Sequence, residues 1–143
     1  MSETRVQWWE FKTVLCHGVF DPFHVGHLWH LKQAKTPSSR LVVAVTRAGF
    51  VHKGYGRPVF SDAERMEVLN ALRIVDQVLL VSNSLEALET VKPDVFCKGA
   101  EYRGKIRKED ADYCKAHKIK IRFTRGKTYS STNLLRHYGL RPR

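Results

Sequence analysis

Two histidines three residues apart, His24 and His27, close the stretch GVFDPFHVGH at residues 18–27. At i and i+3 they fall on one face of a helix start. Helix N-termini bind phosphate through unpaired N–H groups and the helix dipole. Gly18 lets the backbone approach a ligand as the preceding strand ends. Asp21-Pro22 makes a turn, and Gly26 removes a side chain between the two imidazoles. Two donors aimed at one oxyanion suit a reaction that builds charge on a phosphate. A lone histidine in a helix is more commonly a packing or surface residue. The pair, its glycine and the preceding strand-turn argue against that reading. Zinc would need a third and a fourth ligand, and none has metal-type spacing. No C-x-x-C pair occurs, and Cys16, Cys97 and Cys114 make an odd count. No metal ligand is assigned.

Other charged groups follow the same logic. Lys53 and Lys98 come shortly after apolar runs, the second followed by Gly99, Glu101 and Tyr102. Arg125 precedes Ser130, Ser131 and Thr132. Hydroxyls and free N–H groups at a helix start, with an upstream arginine, make an anion site. Plain N-capping by Ser130 explains the same residues and is compatible with it.

The elements that must position these residues alternate. Residues 13–16 read as a strand, 25–34 as a helix with Val25, Leu28, Leu31 and Ala34 on one side, and 41–45 (LVVAV) as a strand buried on both faces. Residues 62–72 read as a helix whose N-cap is Ser61, with Glu64 completing a capping box. A strand at 75–81, a helix at 84–91 stopped before Pro93, and a strand at 95–97 follow. A helix at 108–117, a strand at 119–123 and a closing helix at 130–138, with Gly139 as its stop, complete the series. Such alternation predicts an α/β fold: one Rossmann-like domain with a five-stranded parallel sheet and helices on both faces. Ligands in these sheets sit past the carboxyl ends of the strands, where the strand order reverses. Cys16 and Cys97 read as buried, reduced thiols.

The 143 residues fit a single domain over 1–143, with 1–10 as a lead-in whose Trp8 and Trp9 pack on the domain or on a dimer partner. Twenty-five Lys+Arg against 14 Asp+Glu give a net charge of +11, which attracts polyanions. Nucleic acid, anionic lipid and nucleoside triphosphate all qualify. No apolar run has the roughly 18 residues of a membrane span, and the N-terminus lacks a signal-peptide core. Reduced thiols fit the cytoplasm. A nucleic-acid-binding module is an alternative suggested by the charge and by Arg136, Arg141 and Arg143. No helix, however, carries a basic stripe with interleaved aromatics.

Several segments in order carry a family resemblance: GVFDPFHVGH at 18–27, HKGYGRPVF at 52–60, ERMEVLNALRIVDQV at 64–78, KPDVFCKGAEY at 92–102 and YSSTNLL at 129–135. Together they resemble the cytidylyltransferase-like nucleotidyltransferases with an HxGH signature. KGAEY and YSSTNLL look closer to the heptose-phosphate adenylyltransferase branch than to the glycerol-3-phosphate cytidylyltransferase branch. The resemblance implies transfer of CMP or AMP from CTP or ATP to a small phosphorylated acceptor, a sugar or polyol phosphate, with release of pyrophosphate. It implies that His24 and His27 stabilise the transition state at the α-phosphate and that Lys53 reaches phosphates. Gly18, Asp21 and Gly26 belong to the nucleotide-binding motif, and the backbone of Val19 and Phe20 lies against the nucleotide. Arg65 stands near the site, or is a surface charge of its helix. Lys98 and Gly99 open a loop that holds the base, beside Glu101 and Tyr102. Arg125, Tyr129, Ser130, Ser131 and Thr132 form a second phosphate-binding end. Mg2+ accompanies the triphosphate, and a homodimer is implied. Glu101 where relatives often carry Asp, Ala100 in place of Gly, and the basic run TRGKT leave base and acceptor open. A pantetheine-phosphate, nicotinamide-mononucleotide or flavin adenylyltransferase is the alternative enzyme.

Overall fold

The structure is a computed structural model that describes residues 11–126 and 130–137. Five parallel strands form one sheet: β1 (Lys12–Gly18), β2 (Ser39–Thr46), β3 (Gln77–Val81), β4 (Val95–Lys98) and β5 (Lys120–Phe123). Their order is β3-β2-β1-β4-β5. The chain therefore winds one way from β1 to β3, then crosses to β4 and winds the other way. The reversal lies between β1 and β4, and the crevice for a ligand opens above their carboxyl ends, at Gly18 and Lys98.

Helices α1 (Val25–Ala34), α2 (Asp62–Asn70), α3 (Ser84–Val91), α4 (Lys108–Ala116) and α5 (Ser131–His137) join and flank the strands. The period-two alternation of the strands separates two cores. Val14, Cys16, Val43 and Val45 meet Leu31 and Ala34 of α1 and Leu69 of α2. Leu15, Val42, Ala44 and Phe96 meet Ala87 and Leu88 of α3 and Cys114 of α4. The unbroken run 41–45 is buried on both faces, as expected. All three cysteines are free and buried.

The expected elements are all present; α1 and α3 have the expected bounds, and the others have shifted ends. Ser61 and Glu64 make the capping box of α2, each side chain accepting from the other's backbone N–H. That helix stops at Asn70 rather than 72, because the Ala71 N–H is shared between the Glu67 and Val68 carbonyls and the Leu72 N–H turns to Leu69, three residues back. The next strand then starts at Gln77, since Val75 and Asp76 donate to Leu72 and Leu41 in the turn. Helix α4 ends at Ala116, one residue short of the expectation. Of the expected apolar side of α1, Leu31 and Ala34 are buried but Val25 is 44% exposed. Its turn stands at the rim of the crevice, where the neighbouring Gly26 and His27 face the ligand space. Ser130 caps α5 by accepting from the N–H of Asn133. Trp8, Trp9, Tyr129, Tyr138, Gly139, Arg141 and Arg143 lie outside the described residues.

A buried ion pair ties the loops above the sheet together. Asp21, 1% exposed, accepts from Arg57 Nε at 3.0 Å and from the N–H groups of Val59 and Phe60 at 2.7 and 2.9 Å. Arg57 also donates to the Asp21 carbonyl at 2.6 Å and to Thr132 Oγ1 at 3.0 Å. Removing one partner of such a pair strands the other charge in the interior. Asp21→Ala should lower the unfolding free energy by about 3–5 kcal/mol, and Asp21→Ala with Arg57→Met by clearly less. Urea denaturation of both variants checks this. Equal losses would show that the pair does not act as a unit.

Candidate active site

The crevice above β1 and β4 has a volume of about 730 Å³, within the usual range for ligand sites. It brings together His24, His27, Lys53, Gly18, Val19, Phe20, Gly26, Lys98, Gly99, Glu101, Tyr102 and Arg125, twelve residues expected at the site from sequence.

The two motif histidines are fixed by the start of α1 itself. His24 is the N-cap, and its Nδ1 accepts from the N–H of Gly26 at 3.0 Å and of His27 at 3.4 Å. His27 Nδ1 accepts in return from the N–H of His24 at 3.2 Å. The pair is a capping box built from two imidazoles. A ring nitrogen that accepts a backbone N–H carries no proton, so each neutral ring holds its hydrogen on Nε2. The rings stack with centroids 3.8 Å apart and planes at 21°. Burial lowers the pKa of His24, helped by the charge of Lys53. For His27, burial first, then His24, Lys53 and His30, push it down to about 3. Two neutral Nε2–H donors are thus held side by side at a helix N-terminus.

Phe20 supports them. Its φ of +53° is a left-handed conformation that bulky residues avoid. The buried ring stands edge-on to His27 at 5.1 Å. A Cβ on Gly18 would come within 3.1 Å of it. A side chain at Gly18 would therefore crowd the Phe20 ring, a reason for glycine additional to the close ligand approach expected from sequence.

Lys98 is nearly buried, with Nζ 4.1 Å from the centroid of Tyr102. Burial lowers its pKa, against the opposing pull of Asp110 and the Cys16 and Glu101 groups. Lys53 is likewise lowered by burial and then by Arg57. Arg125 is held by its backbone: Gln33 of α1 accepts from its N–H at 2.7 Å and donates to its carbonyl at 2.6 Å.

Five expected residues sit elsewhere. Asp21 is committed to Arg57 and two backbone N–H groups. Arg65 is neither a surface charge nor part of the crevice wall. It is 2% exposed and donates to the carbonyls of Thr46 at 2.6 Å, Val19 at 3.1 Å and Phe60 at 3.2 Å. It clamps the backbone beneath the site. Ser130 is the cap of α5, Ser131 donates to the Pro22 carbonyl at 3.0 Å, and Thr132 accepts from Arg57. These three hydroxyls hold the protein together instead of lining the crevice. Sequence reasoning missed Arg57, which stands 36 positions from Asp21. It also missed His17, His30, Ser84 and Asp110, all on the crevice wall.

Among the described residues, one set has metal-type proximity: ligand atoms of Cys16, His30 and Cys97 lie within 4.8 Å of one another. It joins three separate elements, which no spacing rule would find. Lys98 and Arg122 already place positive charge against both thiols, which opposes a cation there.

His17 and His27 are pushed down to about 3 and His30 to about 4, burial being the largest cause in each. Their ordinary value is 6.5. Below that value the unfolded chain takes up protons that the folded chain refuses. Stability should be full above about pH 6.5 and fall as the pH drops towards 4. His27→Gln should flatten the fall between about pH 6.5 and 5, above the main carboxylate range. Urea midpoints against pH read this, and an unchanged slope would contradict it.

Comparison with known proteins agrees with this geometry. A solved structure, the lipopolysaccharide core biosynthesis protein from Thermoplasma volcanium GSS1, superposes with a TM-score of 0.66 at 27% identity, over 83% of this chain and 98% of that one. The FAD synthase of Pyrococcus abyssi is 41% identical over 76% of this chain and 71% of its own length. The Bifunctional protein HldE of Azotobacter vinelandii is 38% identical over 78% of this chain. The match spans only 24% of that relative's length, and 20% of its counterpart in Koribacter versatilis. The family model for cytidylyltransferase-like proteins matches residues 15–136. With the histidine pair, the parallel sheet and this match in agreement, the chain belongs to the cytidylyltransferase-like family.

Proposed function

We propose that the chain is a nucleotidyltransferase that moves CMP or AMP from CTP or ATP onto a small sugar or polyol phosphate. The observation that carries this reading is the pair of neutral Nε2–H donors fixed by reciprocal capping. An acceptor phosphate oxygen attacks the α-phosphorus in line. The bond from that phosphorus to the bridging oxygen breaks, and its electron pair leaves with pyrophosphate. Charge collects on the α-phosphate oxygens, where His24 and His27 donate and Lys53 adds a positive charge. Because both rings are already neutral and oriented, they need no proton transfer and little reorganisation. Arg125 extends the positive wall for the remaining phosphates.

Mg2+ accompanies the triphosphate. The crevice wall offers two carboxylates, Glu101 and Asp110, on separate segments rather than as a paired cage. Phosphate oxygens and water therefore supply most of its ligands. The reading also includes a cytoplasmic homodimer. Tyr55 is 85% exposed, and Val59, Phe60 and Val68 add apolar surface for a second copy. Among the described residues, no helix is long and apolar enough to cross a membrane.

A flavin acceptor is the second reading. It is favoured by the FAD synthase relative and by Trp29, Phe50 and Tyr102 on the crevice wall, which suit a flat ring. Pyrophosphate release from four triphosphates against glycerol 3-phosphate, sugar phosphates and FMN separates the two. His24→Ala or His27→Ala should slow turnover by about 10²–10³-fold. Near-wild-type turnover in either variant would overturn the mechanism.

A further inference from the structure

The crevice has a second half, on the far side of the sheet from the motif histidines. Period two along the strands turns His17, Thr46 and Lys98 towards the face that α3 and α4 cover, alongside Leu15, Ala44 and Phe96. The first turns of α3 and α4 add Ser84 and Asp110 to the same wall.

Asp110 is 3% exposed. Its Oδ2 accepts from the Ser84 hydroxyl at 2.5 Å. Its Oδ1 is buried and has no hydrogen-bond partner. A carboxylate oxygen left in this state costs free energy, so it is informative about what belongs beside it. His17 stands on the same wall. Its Nε2 and the Thr46 hydroxyl are hydrogen-bonded at 3.0 Å, and that hydroxyl also reaches the Gly18 carbonyl at 3.4 Å. Burial and the charges of Lys98 and Arg107 keep this ring neutral, with its pKa down to about 3.

An unsatisfied acceptor, Asp110 Oδ1, therefore stands in this half beside Lys98, while His24, His27 and Lys53 stand in the other. We infer that the half-crevice at His17, Ser84 and Asp110 binds the non-reacting end of the acceptor, an uncharged group carrying O–H or N–H donors, and that Asp110 accepts from it. The inference rests on the nucleotidyl-transfer reading for the word acceptor. It adds a direction: the acceptor's phosphate points to His24, His27 and Lys53, and its hydroxyls or imide point to Asp110. Lys98 in this half already faces Asp110, and a phosphate there would meet that carboxylate as well. The nearby Arg107 guanidinium is already paired with Glu109.

Sites that hydrogen-bond a substrate hydroxyl reject analogues that lack it, because their own polar groups are then stranded. The test uses glycerol 3-phosphate, its hydroxyl-free analogue propyl phosphate, and FMN, on the full chain with ATP and with CTP. Wild type should favour glycerol 3-phosphate or FMN over propyl phosphate by about 10²-fold or more in kcat/KM. Asp110→Leu should remove this preference, raising the acceptor KM at least about 10-fold and leaving the triphosphate KM unchanged. Asp110→Asn, which keeps one acceptor oxygen, should retain part of it and covers the case in which the leucine variant does not fold. Calorimetric binding of the same three probes makes the test independent of turnover. Binding that depends on Asp110 without pyrophosphate release would sink the nucleotidyl-transfer reading alone. Equal use or binding of propyl phosphate, equal behaviour of wild type and both variants, a triphosphate KM that rises with the acceptor KM, or no binding of any probe would overturn the subsite.

Discussion

The loops above β1 hang on one carboxylate. Asp21 gathers the turn after β1, the 57–60 segment and, through Arg57, the start of α5. Both charges of the pair are shielded from water, with side-chain exposures of 1% and 0%. Attraction alone would not repay their desolvation; four hydrogen bonds to backbone and hydroxyl groups complete the balance. The turn that ends in His24 can then be rigid without a metal or a disulfide. Arg65 does the same work one layer lower, holding the carbonyls of Val19 and Thr46 so that β1 and β2 end at a fixed height.

On this base the histidines are fixed by each other and by the Phe20 ring. Each supplies the other's cap, so the groups that satisfy the helix N-terminus are also the groups that face the crevice. Their Nδ1 atoms are spent on structure, which puts the hydrogen of each neutral ring on Nε2. Protonation at Nδ1 would break the cap, and burial keeps that proton away.

Much of this was legible in the sequence. The alternation of elements and the unbroken run 41–45 were enough for the parallel sheet, because burial on both faces leaves a pattern that a single strand displays. GVFDPFHVGH was legible because its parts are close in the chain. The missed residues act at a distance. Arg57 meets Asp21 from 36 positions away, and Asp110 meets Ser84 from 26. His17 looks like one more strand residue until Thr46 of the adjacent strand is placed beside it. Asp21, Ser131 and Thr132 show the converse. Polar residues near a phosphate motif need not touch the ligand, since a buried turn has N–H groups and carbonyls of its own to satisfy.

The side-chain amide of Gln33 has a mechanical meaning. It grips both the N–H and the carbonyl of Arg125, as a neighbouring strand would. The end of α1 and the segment after β5 are thereby one body, and that body carries both motif histidines and one wall of the crevice. A ligand that spreads the crevice cannot do so by prising α1 from β5 without breaking this two-bond rung. Residues 51–56, on another part of the crevice wall, are held by few side-chain bonds among the described residues. The helix that carries the histidines is thereby pinned to the carboxyl end of β5 as well as to its own strand.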